Sequence, residues 1–143
     1  MPKPVEIFID GASQGNPGPA GIGIAIQRGA DGAAARTLFK YIGTATNNVA
    51  EYTALIYAVQ EALIRGYRDV VVKTDSELLA KQLSGEYKVR DETLRSYWDQ
   101  YHHLKQGFAT LRVEHIPREQ NTTADRLAAE AIESRIDTSL KSG

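Results

Sequence analysis

The stretch VEIFID (5–10) alternates apolar and polar positions and is rich in β-formers, and GIGIAIQR (21–28) sets Ile22, Ile24 and Ile26 on one face against glycine or alanine on the other. Both patterns predict strands. Between them lies GASQGNPGPA, whose glycines and prolines predict a structured turn or loop, and the turn-like GADGAA (29–34) leads into a third strand at ARTLFKYIG (35–43). Three strands with short links predict an antiparallel meander. A helical period then runs over 48–65, closed by Gly66 in the position just past a helix end. DVVVKTD (69–75) alternates little, which predicts a strand buried on both faces, as in a parallel region of sheet. SELLAKQLSG and DETLRSYWDQYHHLKQG follow as helices, ATLRVEHI (109–116) as a fifth strand, and NTTADRLAAEAIESRI (121–136) as the last helix. The order is βββαβααβα, an α/β fold.

The 143 residues suit one domain spanning 1–143, with 137–143 read as a frayed tail. No apolar run is long enough to cross a membrane, and the early stretch VEIFI is too short and too interrupted for a secretory signal. A soluble, intracellular, cytoplasmic protein is expected. The absence of cysteine excludes disulfides, thiolate metal sites and a cysteine nucleophile, so any metal must bind through oxygen or histidine. A formal net charge of −1 argues against a strongly basic nucleic-acid binder, although balanced totals can hide local segregation. Partners must be read from sites.

The helical wheel of 48–65 holds one anomaly. Glu51 falls in the same direction as Ala54, Leu55, Ala58 and Ala62, so a carboxylate heads the face that packs on the sheet. An unpaired charge there costs several kcal/mol and needs a cation or its own proton. Asp10 closes the first strand, Asp75 closes the fourth, and Asp125 sits in the first turn of the last helix beside Ala124, Leu127, Ala128 and Ala131. Strand C-termini are where α/β sheets present ligands. Singly, each acid reads most simply as a turn or cap residue. Converging on one sheet edge, four acids repel one another unless they hold hard divalent cations, which prefer carboxylate oxygen. That chemistry points to phosphoryl transfer with two ions.

FIDGASQGNPGPAGIGIAI, ATNNVAEYTALIYAV, VVVKTDSELLAKQLSGEYKV and HIPREQNTTADRLA resemble, in order and over nearly the whole chain, the motifs of type 1 ribonuclease H, the endonuclease that cuts the RNA strand of an RNA/DNA hybrid. The resemblance implies a mixed five-stranded sheet, its first three strands antiparallel, with helices on both faces. It further implies that Asp10, Glu51, Asp75 and Asp125 bind two Mg2+ ions, with Mn2+ as a substitute, and that cleavage leaves 3′-hydroxyl and 5′-phosphate ends. Gly11, Ser13, Asn16 and Ser76 would lie near the RNA strand, and Thr46, Asn47 and Asn48 where the backbones are gripped. Capping of the helix by Asn47 or Asn48 is an equally natural use of those residues, and plain turn geometry accounts for Gly15, Pro17 and Gly18.

The sequence departs from the family pattern in two places. The lysine- and arginine-rich helix and loop that grips the DNA strand in well-known bacterial members is missing, because SGEYKVRDETLRSYWDQY runs directly into the next helix. Lys88 and Arg90, near Tyr87 and Trp98, offer at most a reduced contact, and exposed basic residues with a core tryptophan are the favoured reading. This short form resembles archaeal and some bacterial members. The loop histidine that assists many members has no clear counterpart: Arg118 is better placed in the loop, while His115 shares the strand parity of Leu111 and Val113. Arg118 is favoured slightly, as an electrostatic helper, since arginine cannot be a general base near neutral pH. His102 and His103 read as surface or packing residues, and no function is assigned to Tyr41, Tyr52, Tyr57 or Tyr67. A monomer acting on RNA/DNA hybrid is expected, with duplex RNA a second candidate substrate. A catalytically silent binding module and a related polynucleotidyl transferase or exonuclease are the competing readings, disfavoured by the complete acid set and by the DGASQGNPGPAG and TNN motifs.

Overall fold

The structure is a computed structural model that describes residues 3–27 and 34–135. Strands β1 (Val5–Ser13), β2 (Gly18–Gln27) and β3 (Ala34–Ala45) form the antiparallel meander. Strands β4 (Asp69–Thr74) and β5 (Thr110–His115) add to it in parallel, giving the order β3-β2-β1-β4-β5. Helices α1 (Asn47–Ile64), α2 (Glu77–Ser84), α3 (Glu92–Lys105) and α4 (Thr122–Glu133) complete the expected order. The turn at 29–33 and the tail at 137–143 lie outside the described residues.

Strand alternation sends successive side chains to opposite faces, and each face receives a different kind of helix. On one, Ile7, Ile9, Ile22, Ile24, Ile26, Val70 and Val72 form the main core with Leu55, Ala58, Val59 and Ala62 of α1 and with Leu94 and Tyr101 of α3. On the other, α4 lies close against the meander, its Ala124, Ala128 and Ala131 set over Gly21 and Gly23. The valines of β4 are buried on both faces, as their lack of alternation predicts.

Strands β1 and β2 run further than the sequence predicts. The ladder continues through Gly11↔Ile22, Ala12↔Gly21 and Ser13↔Ala20, so most of GASQGNPGPA is strand and the turn is confined to 14–17. Glycine and alanine are poor strand formers. Here they serve tertiary packing, because a Cβ on Gly11 would collide with the backbone of Ala50 and Glu51 in α1.

The helix boundaries follow local chemistry. Helix α1 is capped by the Thr46 hydroxyl, which accepts from the Val49 N–H at 3.2 Å, and not by Asn47 or Asn48. Its end is closed by Gly66 at φ 77°, with the Tyr67 N–H reaching the Ala62 carbonyl at 3.0 Å. Ser76 caps α2 and Asp91 caps α3 in the same manner. Helix α4 has no side-chain cap.

Candidate active site

Helix α1 enters directly after β3, and its Ala50 backbone touches β1 at Gly11. This contact brings Glu51, in the second turn of α1, to the C-terminal end of β1 where Asp10 lies. Asp10 pairs across the ladder with Gly23, the residue that lets Ala124 of α4 approach the sheet. Asp75 immediately follows β4, which lies beside β1, and Asp125 occupies the first turn of α4. The four predicted acids therefore reach one sheet edge from four elements.

Three of them meet closely: one oxygen each from Asp10, Glu51 and Asp75 lie within 4.8 Å of one another. The fourth, Asp125, flanks Asp10 and pairs through Oδ2 with Arg118 Nη2 at 3.6 Å. Asp10 is 4% exposed, and burial followed by the charges of Asp75 and Asp125 pushes its carboxyl up to about 8 from 3.8. Glu51 is held well above its ordinary value by burial first and by Asp10 and Asp75 next, against a hydrogen bond from the Gly11 backbone. Burial also raises Asp75, opposed by a hydrogen bond from Asn121. Moreover, Glu51 Oε2 is buried without a hydrogen-bond partner.

These features answer why a carboxylate heads the inner face of α1. As anions the three acids are costly neighbours, and as neutral acids they leave an acceptor orphaned. Opposite oxygen ligands of one hard cation stand about 4–5 Å apart, so the observed spacing suits a shared divalent ion. The residues fit a hard divalent cation, for which Asp10, Glu51 and Asp75 offer one oxygen each with Asp125 alongside.

Arg118 opens a short 3-10 turn, Arg118–Gln120, and its side chain is exposed toward Asp125. His115 is the last residue of β5, paired in register with Thr74 and exposed, close enough for its charge to act on Asp75 and Glu77. It belongs to the strand, as its parity with Leu111 and Val113 predicts.

The predicted substrate residues gather around the turn at 14–17 and the start of α1. Asn47 Oδ1 accepts from the Ser13 N–H at 3.0 Å, and the Asn47 N–H donates to Asn16 Oδ1 at 3.0 Å, so the two asparagines clip the turn to the helix. The Ser13 hydroxyl donates to the Ala45 carbonyl at 2.8 Å. Thr46 and Ser76 cap helices, while Asn48 is exposed.

Between α2 and α3 lie only residues 85–91, with Lys88 and Arg90 exposed and no basic protrusion. Trp98 is partly buried and packs against the core: its Nε1 donates to the Gln82 carbonyl at 3.2 Å and the Arg95 guanidinium sits 4.7 Å from its ring. His102 packs on Trp98 at 4.0 Å, and burial lowers its pKa. Tyr52 is a core residue whose hydroxyl donates to Gln82 Oε1 at 2.7 Å, whereas Tyr57 is 40% exposed. No helix among the described residues is long and apolar enough to cross a membrane.

One residue at the site escaped the sequence reading. Asn121 is 1% exposed and touches both Ile9 and Asp75. The only signal was a polar amide four residues before Asp125, indistinguishable in sequence from a helix cap.

A family profile described as reverse transcriptase-like matches residues 8–131. The chain is 42% identical over 129 residues to ribonuclease HI of Halobacterium salinarum, covering 90% of this chain and 64% of that protein. It is 32% identical to ribonuclease H of Vibrio cholerae, covering 98% and 96%, and 39% identical to a bifunctional protein of Mycobacterium tuberculosis, covering 91% and 36%. The chain thus spans less than two thirds of the halobacterial relative and about a third of the mycobacterial one. Among solved structures, the ribonuclease H1 of Halobacterium salinarum superposes with a TM-score of 0.88 at 41% identity, covering 92% of this chain and 99% of that one. LC11-RNase H1, crystallised in complex with an RNA/DNA hybrid, gives 0.86 at 41% identity with the same coverage. At such identity and coverage the sequence resemblance becomes membership, and the chain belongs to the ribonuclease H family.

Proposed function

We propose that this chain is an endonuclease that hydrolyses the RNA strand of RNA/DNA hybrids, leaving 3′-hydroxyl and 5′-phosphate ends. The observation that carries the reading is the meeting of Asp10, Glu51 and Asp75 oxygens within 4.8 Å, with Glu51 Oε2 buried and unpartnered. Asp10, Glu51, Asp75 and Asp125 would hold two Mg2+ ions, with Mn2+ able to replace them. Such ions, when bound, supply the Lewis acidity that activates water and offsets charge on the leaving oxygen of a phosphodiester.

The chain's own residues divide the remaining work. The four carboxylates draw the scissile phosphate to the sheet edge only when a cation has neutralised them, which couples substrate binding to metal. Arg118 places a permanent positive charge beside Asp125 and acts electrostatically on the phosphate or the leaving group, since it cannot take up a proton. His115, one strand end away, is the alternative for proton transfer.

Recognition of the hybrid rests on telling a strand with 2′-hydroxyls from one without. Ser13, Asn16, Asn47 and Asn48 sit at one corner of the site, and the β1–β2 turn at 14–17 is exposed, which leaves its main chain open to a sugar edge. Gly11 holds α1 close enough for Glu51 to serve both metal and substrate. Ser76 lies one residue beyond Asp75, near the RNA strand on this reading.

The test is a substrate panel in Mg2+: a hybrid with its RNA strand labelled, duplex RNA, single-stranded RNA and duplex DNA. Cutting of the hybrid's RNA strand, with 5′-phosphate on the new ends, is expected, and duplex RNA is the arm that measures strictness. Cleavage of the DNA strand, or of single-stranded RNA in preference to hybrid, would contradict the reading.

A further inference from the structure

The ladder between β1 and β4 stops at the pair Ile9↔Thr74. Asp75 comes next in the chain, just where the two strands no longer hold each other. Asn121 reaches this point from the start of α4: its Nδ2 donates to the Ile9 carbonyl at 2.8 Å and, at a longer 3.4 Å, to Asp75 Oδ2. Its main chain is committed to the other flank of the site. The Asn121 N–H reaches the Arg118 carbonyl at 2.9 Å, and its carbonyl accepts from the Asp125 N–H at 3.1 Å. One residue therefore registers Asp75, Arg118 and Asp125 against the end of β1.

Capping does not explain the asparagine. It occupies the capping position of α4, yet its φ of −117° and ψ of 29° turn the side chain away and it makes no cap bond. Stability explains only half of the amide: Nδ2 satisfies the Ile9 carbonyl, while Oδ1 is buried without a partner in a residue that is 1% exposed. Turning the amide over would bring three acceptors together, the Ile9 carbonyl, the Asp75 carboxylate and the amide oxygen. The donor end is thus fixed toward Asp75, and the orphaned acceptor is a cost that an apolar side chain of similar size would avoid.

We propose that Asn121 is a positioning residue for divalent-metal binding, tying the Asp75 carboxylate to the end of β1 within reach of Asp10 and Glu51. The assignment rests on the reading of these carboxylates as metal ligands. Residues that orient metal ligands affect affinity by about 10- to 100-fold when replaced.

The experiment is calorimetric titration of Mn2+ into the parent protein, Asn121→Leu and Asn121→Ala, each first checked for native circular dichroism, with kcat and KM on hybrid measured beside it. The parent is expected to bind Mn2+. Asn121→Leu is expected to fold with a metal-free melting temperature lowered by loss of the bond to the Ile9 carbonyl, while binding Mn2+ about tenfold or more weakly, with kcat reduced and KM for hybrid little changed. Asn121→Ala should show the same loss of affinity. A folded variant that binds Mn2+ as the parent does would overturn the proposal, and failure of both variants to fold would do so by making Asn121 a structural post. A parent that binds no Mn2+ would instead sink the metal reading on which the proposal stands.

Discussion

Gly23 is the cross-strand partner of Asp10, and a Cβ placed on it would collide with the Ala124 carbonyl oxygen and come within 2.7 Å of the Ala128 nitrogen. The first turn of α4 thus rests on the residue of β2 that lies directly opposite Asp10. Gly23→Ala must push α4 outward and carry Asp125 with it. A stability loss of about 1–3 kcal/mol is expected from such overpacking. Denaturant unfolding measures the first effect, and steady-state kinetics should show kcat reduced more than KM is raised.

The metal-free protein should become less stable as pH rises. Native Asp10 keeps its proton up to about pH 8, whereas the unfolded chain releases it near 3.8. Between those values the native state binds more protons, so this contribution is full below the unfolded value and is lost as pH climbs through the folded one. Asp10→Asn removes the titration without changing shape. At pH 7 without metal, the variant is expected to be more stable than the parent by about 4 kcal/mol, since each unit between the unfolded value of 3.8 and pH 7 corresponds to about 1.4 kcal/mol. The advantage should vanish below pH 4 and shrink on adding Mg2+ to the parent. Thermal melts across pH with chelator present make the comparison, and a parent that gains stability with rising pH would contradict it.

Arg118 and His115 separate by activity and not by stability. Arg118 is exposed and its pair with Asp125 spans 3.6 Å, so Arg118→Ala should change unfolding free energy by less than about 0.5 kcal/mol. Its kcat is expected to fall about tenfold, equivalent to about 1.4 kcal/mol of transition-state stabilisation. Arg118→Lys, which keeps the charge, should recover part of the loss. His115→Ala should reduce kcat less, and a larger loss there than at Arg118 would reverse the assignment.

The clip between α1 and the β1–β2 turn can be tested apart from substrate contact. Asn47→Ala removes the acceptor for the Ser13 N–H and is expected to cost about 1 kcal/mol of stability. Asn47→Asp keeps an acceptor and should retain most of that stability, yet it sets a negative charge where phosphates approach. A raised KM for hybrid in Asn47→Asp, with melting temperature nearly unchanged, would place Asn47 at the nucleic-acid surface.

Much of this site is legible in the sequence, for physical reasons. Periodicity identifies most of the nine strands and helices because they bury a regular face, β4 is marked instead by its unbroken valines, and Glu51 stands out because alanines surround it on the wheel. Asp10 and Asp75 were conspicuous for closing apolar runs. Other features depend on partners distant in sequence. The strand ends within GASQGNPGPA resemble loop because Gly11 answers to the close approach of α1, not to local propensity. The sequence offers Asn47 as a cap or a substrate contact, while its side chain in fact holds Ser13, 34 positions away. Asn121 lies 112 positions from the carbonyl it binds, and nothing local distinguishes it from a cap.

The central claim is that the carboxylate edge performs metal-dependent cleavage of hybrid RNA. It is tested most directly by following a labelled hybrid with the parent and with Asp10→Asn, each in Mg2+ and again with chelator. The parent is expected to cut the RNA strand only when Mg2+ is available, and Asp10→Asn, folded and at least as stable, to cut at a rate lower by orders of magnitude. Equal cleavage by the two proteins, or parental cleavage that persists in chelator, would contradict it.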